Sequence, residues 1–160
     1  MLTQEVPVAT SLLGPDDDAL ARLRSRLQGG LFSPGESGYE EACTIWNGMI
    51  DRRPRWVARC AGIADVIAAV DFAREHDLLL SVRGGGHNVA GSALGEGGLM
   101  IDLSPMRDVQ VDALNKTVRV QPGANWGDVD RATQPFGLAT PVAETMPPGV
   151  ALSLIHISEP

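Results

Sequence analysis

Arg55-Trp56-Val57-Ala58-Arg59, the run Gly62 to His76, and Leu78-Leu79-Leu80-Ser81-Val82 are the stretch that decides the fold. The first is short and β-leaning and begins just after Pro54, as a strand does. The second holds Ile63, Val66, Ile67 and Val70 at i, i+3, i+4 and i+7, with Asp65 in the first turn; the spacing predicts an amphipathic helix with that apolar face inward. The third is apolar but too short for a helix. Strand, helix and strand within about thirty residues make a βαβ unit, which implies two parallel neighbours joined by a right-handed crossover.

Working outward toward the N-terminus, Asp16-Asp17-Asp18 precedes Leu20, Leu23 and Leu27, and Arg22, Arg24 and Arg26 follow before Gly29-Gly30. Acid at the start, base toward the end and glycine beyond predict a helix of about three turns. Leu31 to Gly38, with Pro34, Gly35 and Gly38, reads as a loop, and Tyr39, Ala42, Cys43 and Trp46 share a face of another short helix. Toward the C-terminus, Gly98 to Leu103 reads as a strand. Val109 and Val111 alternate against Val118 and Val120 across the polar turn Asp112 to Lys116, a β-hairpin. Asn125 with Asp128 three residues on predicts a capped helix whose face is Trp126, Val129 and Ala132, ending at Pro135. The expected class is α+β, with a parallel start and antiparallel strands after it. Its divisions are a helical lead-in over 1–50, a domain over 51–151 and a separate tail over 152–160.

Composition narrows the function. Of 160 residues, 13 are Lys or Arg and 20 Asp or Glu, a net charge of −7; 44% are hydrophobic and 21% charged, as in ordinary globular chains. An acidic balance without a basic run argues against nucleic acid or an anionic membrane surface as partner. No apolar run approaches the roughly 18–20 residues of a membrane span. Met1-Leu2-Thr3-Gln4-Glu5 does not read as a signal peptide, and Cys43 and Cys60 form neither a disulfide framework nor a zinc spacing. A reduced, cytoplasmic protein acting on a small molecule is the expectation.

The chemistry concentrates in Arg83-Gly84-Gly85-Gly86-His87-Asn88-Val89-Ala90-Gly91-Ser92, directly after the second strand. Seven of the 18 glycines lie between Gly84 and Gly98. Consecutive glycines tolerate positive φ and turn successive N–H groups toward one point, a nest for an anion, at the strand end where phosphate ligands sit. Arg83 would add charge there, and Asn88 and Ser92 hydrogen bonds; the alternative is a glycine-rich turn without a ligand. Gly86 and Gly91 have P-loop spacing, yet Ser92 stands where the lysine belongs. Gly84 and Gly86 begin a dinucleotide fingerprint, yet Val89 takes the place of its third glycine. His87 has no metal-ligand spacing with His76, His156 or the cysteines, so no metal is expected; by pattern it is either a structural hydrogen-bonding residue or a ligand contact. Trp46, Trp56 and Trp126 read as core, and Asp65, Asp71, Asp128 and Asp130 as solvated helix residues.

The run Ser81 to Gly91 resembles the pyrophosphate loop of FAD-dependent oxidoreductases of the vanillyl-alcohol oxidase and p-cresol methylhydroxylase (PCMH) type, in particular bacterial relatives of berberine bridge enzyme. The resemblance extends over roughly residues 35 to 141. It includes Trp46-Asn47, Arg53-Pro54, Asp65-Val66, Ile101-Asp102-Leu103-Ser104, Pro122-Gly123-Ala124, Trp126-Gly127-Asp128 and Gly137-Leu138-Ala139. It implies the N-terminal half of a PCMH-type FAD-binding domain, with Arg83, Gly84, Gly85, Gly86, His87, Asn88, Gly91, Ser92, Pro122 and Gly123 as cofactor-binding residues. It also implies FAD bonded covalently through His87, and two-electron oxidation of an alcohol, sugar or related carbon centre with O2 as acceptor. Doubly linked relatives carry a cysteine at the position of Thr145, so a single link is expected. Residues 152–160 resemble the translation of a sequencing adapter, and 142–148 depart from the family, so a truncated chain without turnover of its own is a further expectation. A phosphate-ligand-binding module without redox chemistry is the other reading.

Overall fold

The computed structural model describes residues 14–140. The expectations for Thr145, for 142–148 and for the 152–160 tail lie outside them. The fold is α+β. Helix α1 (Asp17–Arg26) is capped by Asp16, whose side chain accepts the Ala19 N–H, and it ends at Leu27 before the glycine pair. Strand β1 (Leu31–Phe32) and helix α2 (Tyr39–Cys43) follow, then β2 (Trp56–Arg59), α3 (Ile63–Glu75), β3 (Leu80–Arg83) and β4 (Leu99–Asp102). The hairpin β5 (Val109–Asp112) and β6 (Thr117–Val120) and helix α4 (Trp126–Thr133) close the described chain, with one 3-10 turn at Gln134–Phe136.

The four-stranded sheet runs β1-β2-β4-β3, with β4 parallel to both neighbours and β1 antiparallel to β2. The two strands of the expected βαβ unit are therefore not neighbours, and the first strand after the glycine cluster is not antiparallel. All four residues of β4 are buried, and this completely buried strand sits inside the sheet, where both faces are covered. Leu31 and Phe32, expected to lie in a loop, pair with Ala58 and Val57 and extend the sheet at its β2 edge.

Two apolar clusters sandwich the sheet. On one face α1 and α3 pack Leu23, Leu27, Ala68, Ala69, Phe72 and Ala73 against Trp56, Ala58, Leu99 and Ile101. On the other, Tyr39, Ala42, Cys43 and Leu94 cover Val57 and Met100. The face of α3 differs from the expected one. Asp65, Ala68, Ala69, Phe72 and Ala73 are buried, whereas Ile63, Ile67 and Val70 are exposed. Small alanines let the helix approach the sheet closely, so shape complementarity outweighs residue hydrophobicity in choosing the face. Helix α2 likewise stops at Cys43, and Trp46 lies 67% exposed rather than in the core. Trp56 and Trp126 are buried as expected, the latter with Val129 against the hairpin valines, and the Asn125–Asp128 capping box is formed.

Asp65 is not solvated: it is 1% exposed and accepts the N–H groups of Gln28, Gly29 and Ala61 at 3.0, 3.1 and 2.9 Å. It ties the end of α1 to the turn before α3. Asp71 and Asp130 lie at the surface, and Asp128 pairs with Arg107 at 2.8 Å. Burial alone would push the Asp65 carboxyl up, but the three amide donations together hold it below the usual carboxylate range. A depressed folded-state value means that the carboxylate stabilises the fold at neutral pH and stops doing so as pH falls through that value. Asp65→Asn should lose about 3 kcal/mol at pH 7, the scale of removing a buried charged acceptor. The gap between variant and wild type in urea melts should narrow below about pH 4; a gap independent of pH would show that the charge is not what holds the turn.

Candidate functional site

Each of the three parallel strands ends in a charged residue, and the register puts those residues in one row, Arg59–Asp102–Arg83, across the carboxyl edge of the sheet. Asp102 is fully buried. Its Oδ2 accepts from Arg59 Nε at 3.3 Å, and its Oδ1 from Arg83 Nη1 at 3.0 Å and from the Ser104 N–H at 3.1 Å. Two guanidiniums share one carboxylate, so the row carries excess positive charge at the edge where phosphate ligands bind in open parallel sheets. Arg83 also donates to the Thr44 carbonyl at 3.2 Å. Its Nε is buried without a hydrogen-bond partner among the described residues.

The glycine loop leaves β3 at this edge. The left-handed residues in it are Gly86 (φ 72°) and Gly91 (φ 69°), so the backbone freedom expected of the whole triplet is used at its last member and again five residues on. A Cβ on Gly86 would stand 3.3 Å from Arg83 Nε, and one on Gly91 would stand 2.7 Å from the Ile50 side chain. Asn88 accepts the Ser92 N–H at 3.1 Å through its side-chain oxygen and the Gly91 N–H through its carbonyl, shaping the return of the loop. Among the described residues, no oxygen accepts from the N–H groups of Gly84 through Ala90. That run of free donors is what an anion requires.

His87 lies half-buried in this run, and neither ring nitrogen has a hydrogen-bond partner among the described residues. Its ring stacks on Trp46, with centroids 6.5 Å apart and planes at 28°. Trp46 and Asn47 also hold the loop backbone. The Trp46 N–H donates to the Gly86 carbonyl at 3.0 Å, and Asn47 Nδ2 donates to the Val89 carbonyl at 2.7 Å.

Pro122 and Gly123 sit one step away, between β6 and α4. Gly123 donates its N–H to the Met106 carbonyl at 2.8 Å, and a Cβ there would fall 2.2 Å from the Leu103 carbonyl oxygen. The glycine thus lets the hairpin press onto the turn after β4, whose Leu103 N–H bonds the Arg83 carbonyl at 2.8 Å. The structure brings the loop residues Arg83 to Ser92 together and connects Gly123 to them only through the turn after β4.

Sequence reasoning missed Arg59, Asp102 and Ile50 as builders of this site and read Trp46 as core. One signal was present for the row: three short apolar strands each close on a charge. Neither cysteine is a nucleophile here. Burial pushes the Cys60 thiol up to about 12, with the Asp65 and Asp102 charges acting in the same direction, and burial also raises Cys43. Among the described residues no cluster of ligands suits a metal ion, and no helix is long and apolar enough to cross a membrane.

Residues 54–155 match a family model described as an FAD binding domain. The chain is 36% identical over 113 residues to (R)-6-hydroxynicotine oxidase of Paenarthrobacter nicotinovorans, covering 71% of this chain and 25% of that protein. It is 33% identical over 97 residues to chitooligosaccharide oxidase of Gibberella zeae, covering 59% of this chain and 20% of that one. Among solved structures, a berberine-bridge-enzyme-like protein (BBE-like 1, variant D396N) of Physcomitrella patens superposes with a TM-score of 0.75 at 26% identity, over 82% of this chain and 29% of the other. The 6-hydroxy-D-nicotine oxidase of Arthrobacter nicotinovorans gives 0.67 at 36% identity, over 71% and 25%. The chain spans about a quarter of the length of these relatives.

Proposed function

Because the chain belongs to the FAD binding domain family, we propose that it is the cofactor-holding part of a flavin-dependent oxidoreductase, with the FAD pyrophosphate in the nest from Gly84 to Ala90. The observation that carries this reading is the run of unclaimed amide donors, hinged at Gly86 and Gly91, beside a charge row with two guanidiniums to one carboxylate. Those features fit a diphosphate. FAD, when bound, supplies two-electron oxidation of a carbon centre; an alcohol, sugar or related small molecule is the substrate class we assign, and O2 the acceptor. This chain's residues bind and orient: the amides hold the diphosphate, Asn88 and Gly91 turn the loop, and Trp46 packs on His87. A reducing cytoplasmic setting belongs to the same reading, supported by two free, buried cysteines. So does the division into residues 1–50, 51–151 and 152–160.

His87 is the residue we assign to a covalent flavin bond, and its unpaired ring nitrogens support that role. With FAD bound, a His87 ring nitrogen would hold it through a bond to the 8-methyl carbon, an overall loss of two hydrogens for which O2 would be the oxidant and hydrogen peroxide the product. One link is expected, since both cysteines are buried and the Thr145 hydroxyl cannot form a thioether. Acid-precipitated whole protein should stay yellow, and His87→Ala should release its flavin to the supernatant. A colourless wild-type precipitate would refute the bond. A whole protein that binds no FAD would refute the cofactor as well and favour a different phosphate ligand.

A further inference from the structure

We propose that Trp46 and Asn47 are positioning residues for His87, a clamp that fixes the loop backbone on both sides of it and sets the plane of its imidazole. The inference rests on the covalent-flavin reading and adds to it the part of the chain that aims the nucleophile. Three contacts bracket this residue, two on its neighbours in the loop and one on its ring. The Trp46 N–H holds the Gly86 carbonyl immediately before His87, at 3.0 Å. Asn47 Nδ2 holds the Val89 carbonyl two residues after it, at 2.7 Å. The indole of Trp46 faces the imidazole at 6.5 Å and 28°, within the range of offset aromatic stacking.

Among the described residues no hydrogen bond fixes that ring, since neither of its nitrogens has a partner. The Trp46 side chain is 67% exposed, so it contributes little to the core, and its indole stacks with His87. An imidazole free to rotate would present its nitrogen to the flavin methyl only part of the time. Holding it in one plane raises the fraction of reactive geometries without altering the affinity for FAD, because the diphosphate is held by backbone amides. Asn47 also bonds its own neighbour: its Oδ1 accepts the Met49 N–H at 3.1 Å, which locks the amide in the orientation that donates to Val89.

The test uses the whole protein, prepared without flavin and then mixed with FAD. Trp46→Ala should bind FAD within about threefold of wild type but form acid-stable flavin at least tenfold more slowly. Trp46→Phe, which restores an aromatic face, should recover most of the rate. Asn47→Ala should slow attachment as well, by releasing the Val89 carbonyl. Independently of flavin, the His87 ring protons should be shifted upfield by the indole in NMR spectra, assigned by their loss in His87→Ala, and should move back in Trp46→Ala. Attachment at the wild-type rate in Trp46→Ala, or His87 resonances indifferent to Trp46, would overturn the clamp. Wild-type protein that never forms acid-stable flavin would instead overturn the covalent reading on which the clamp depends.

Discussion

Asp102→Ala is expected to lower the stability of the fold by about 3–5 kcal/mol, the cost of breaking a buried ion pair from one side. Asp102 is completely buried between Arg59 and Arg83, whose side chains are 24% and 15% exposed. Removing the carboxylate leaves two poorly solvated guanidiniums facing each other across a cavity. It also frees the Ser104 N–H at the end of the central strand. Asp102→Asn keeps the shape and an acceptor for Ser104 but not the charge, and should fall between alanine and wild type. Because the row stands at the base of the glycine loop, FAD affinity should fall along with stability in both variants. Urea melts and an FAD titration check this together. An alanine variant within about 1 kcal/mol of wild type would mean that solvent reaches the row and that the ion pairs there are worth no more than surface pairs.

Gly86→Val should reduce FAD affinity at least about a hundredfold and also lower stability by about 1–2 kcal/mol or somewhat more. The backbone at Gly86 has φ 72°, a conformation that costs an L residue roughly 1–2 kcal/mol and a β-branched one more. The new side chain would also meet Arg83 Nε at about the 3.3 Å already measured for its first carbon, with Ile45 Cγ2 at 3.6 Å on another side. The loop must then move, and the N–H groups that follow cease to converge. Gly86→Ala should show a smaller loss, because it adds the φ penalty but less volume. The glycine triplet read from sequence suggests Gly85 as readily as Gly86, but Gly85 does not take a positive φ, so the larger effect belongs to Gly86. Quenching of flavin fluorescence on binding would report it, and wild-type affinity in the Gly86→Val protein would sink the assignment of this loop to the diphosphate.

The four longer helices and the strands from β2 to β6 are all legible in the sequence, because their signals are local. The Asn125–Asp128 box needs residues only three apart, and the β5–β6 hairpin needs alternation across one turn. The position of the glycine loop is equally local: glycines immediately after a short apolar run. Arg83 shows where such reading stops. A cation beside a glycine nest is legible there, but the buried carboxylate 19 residues away that it pairs with is not.

What sequence alone determined here is therefore the α+β class, the capped helices, the hairpin and the glycine loop with His87 at its centre, since each depends on neighbours along the chain. Tertiary structure decided the insertion of β4 between β2 and β3, the burial of the alanine face of α3, the burial of Asp65 and the exposure of Trp46. It also assembled the Arg59–Asp102–Arg83 row and the Trp46–Asn47 contacts around His87. Strand order depends on which apolar segment is covered on both faces, and a helix face on which shape fits the sheet. The partner of a charge depends on which opposite charge the register brings within about 3 Å. Those are properties of residues distant in the chain, and no local pattern encodes them.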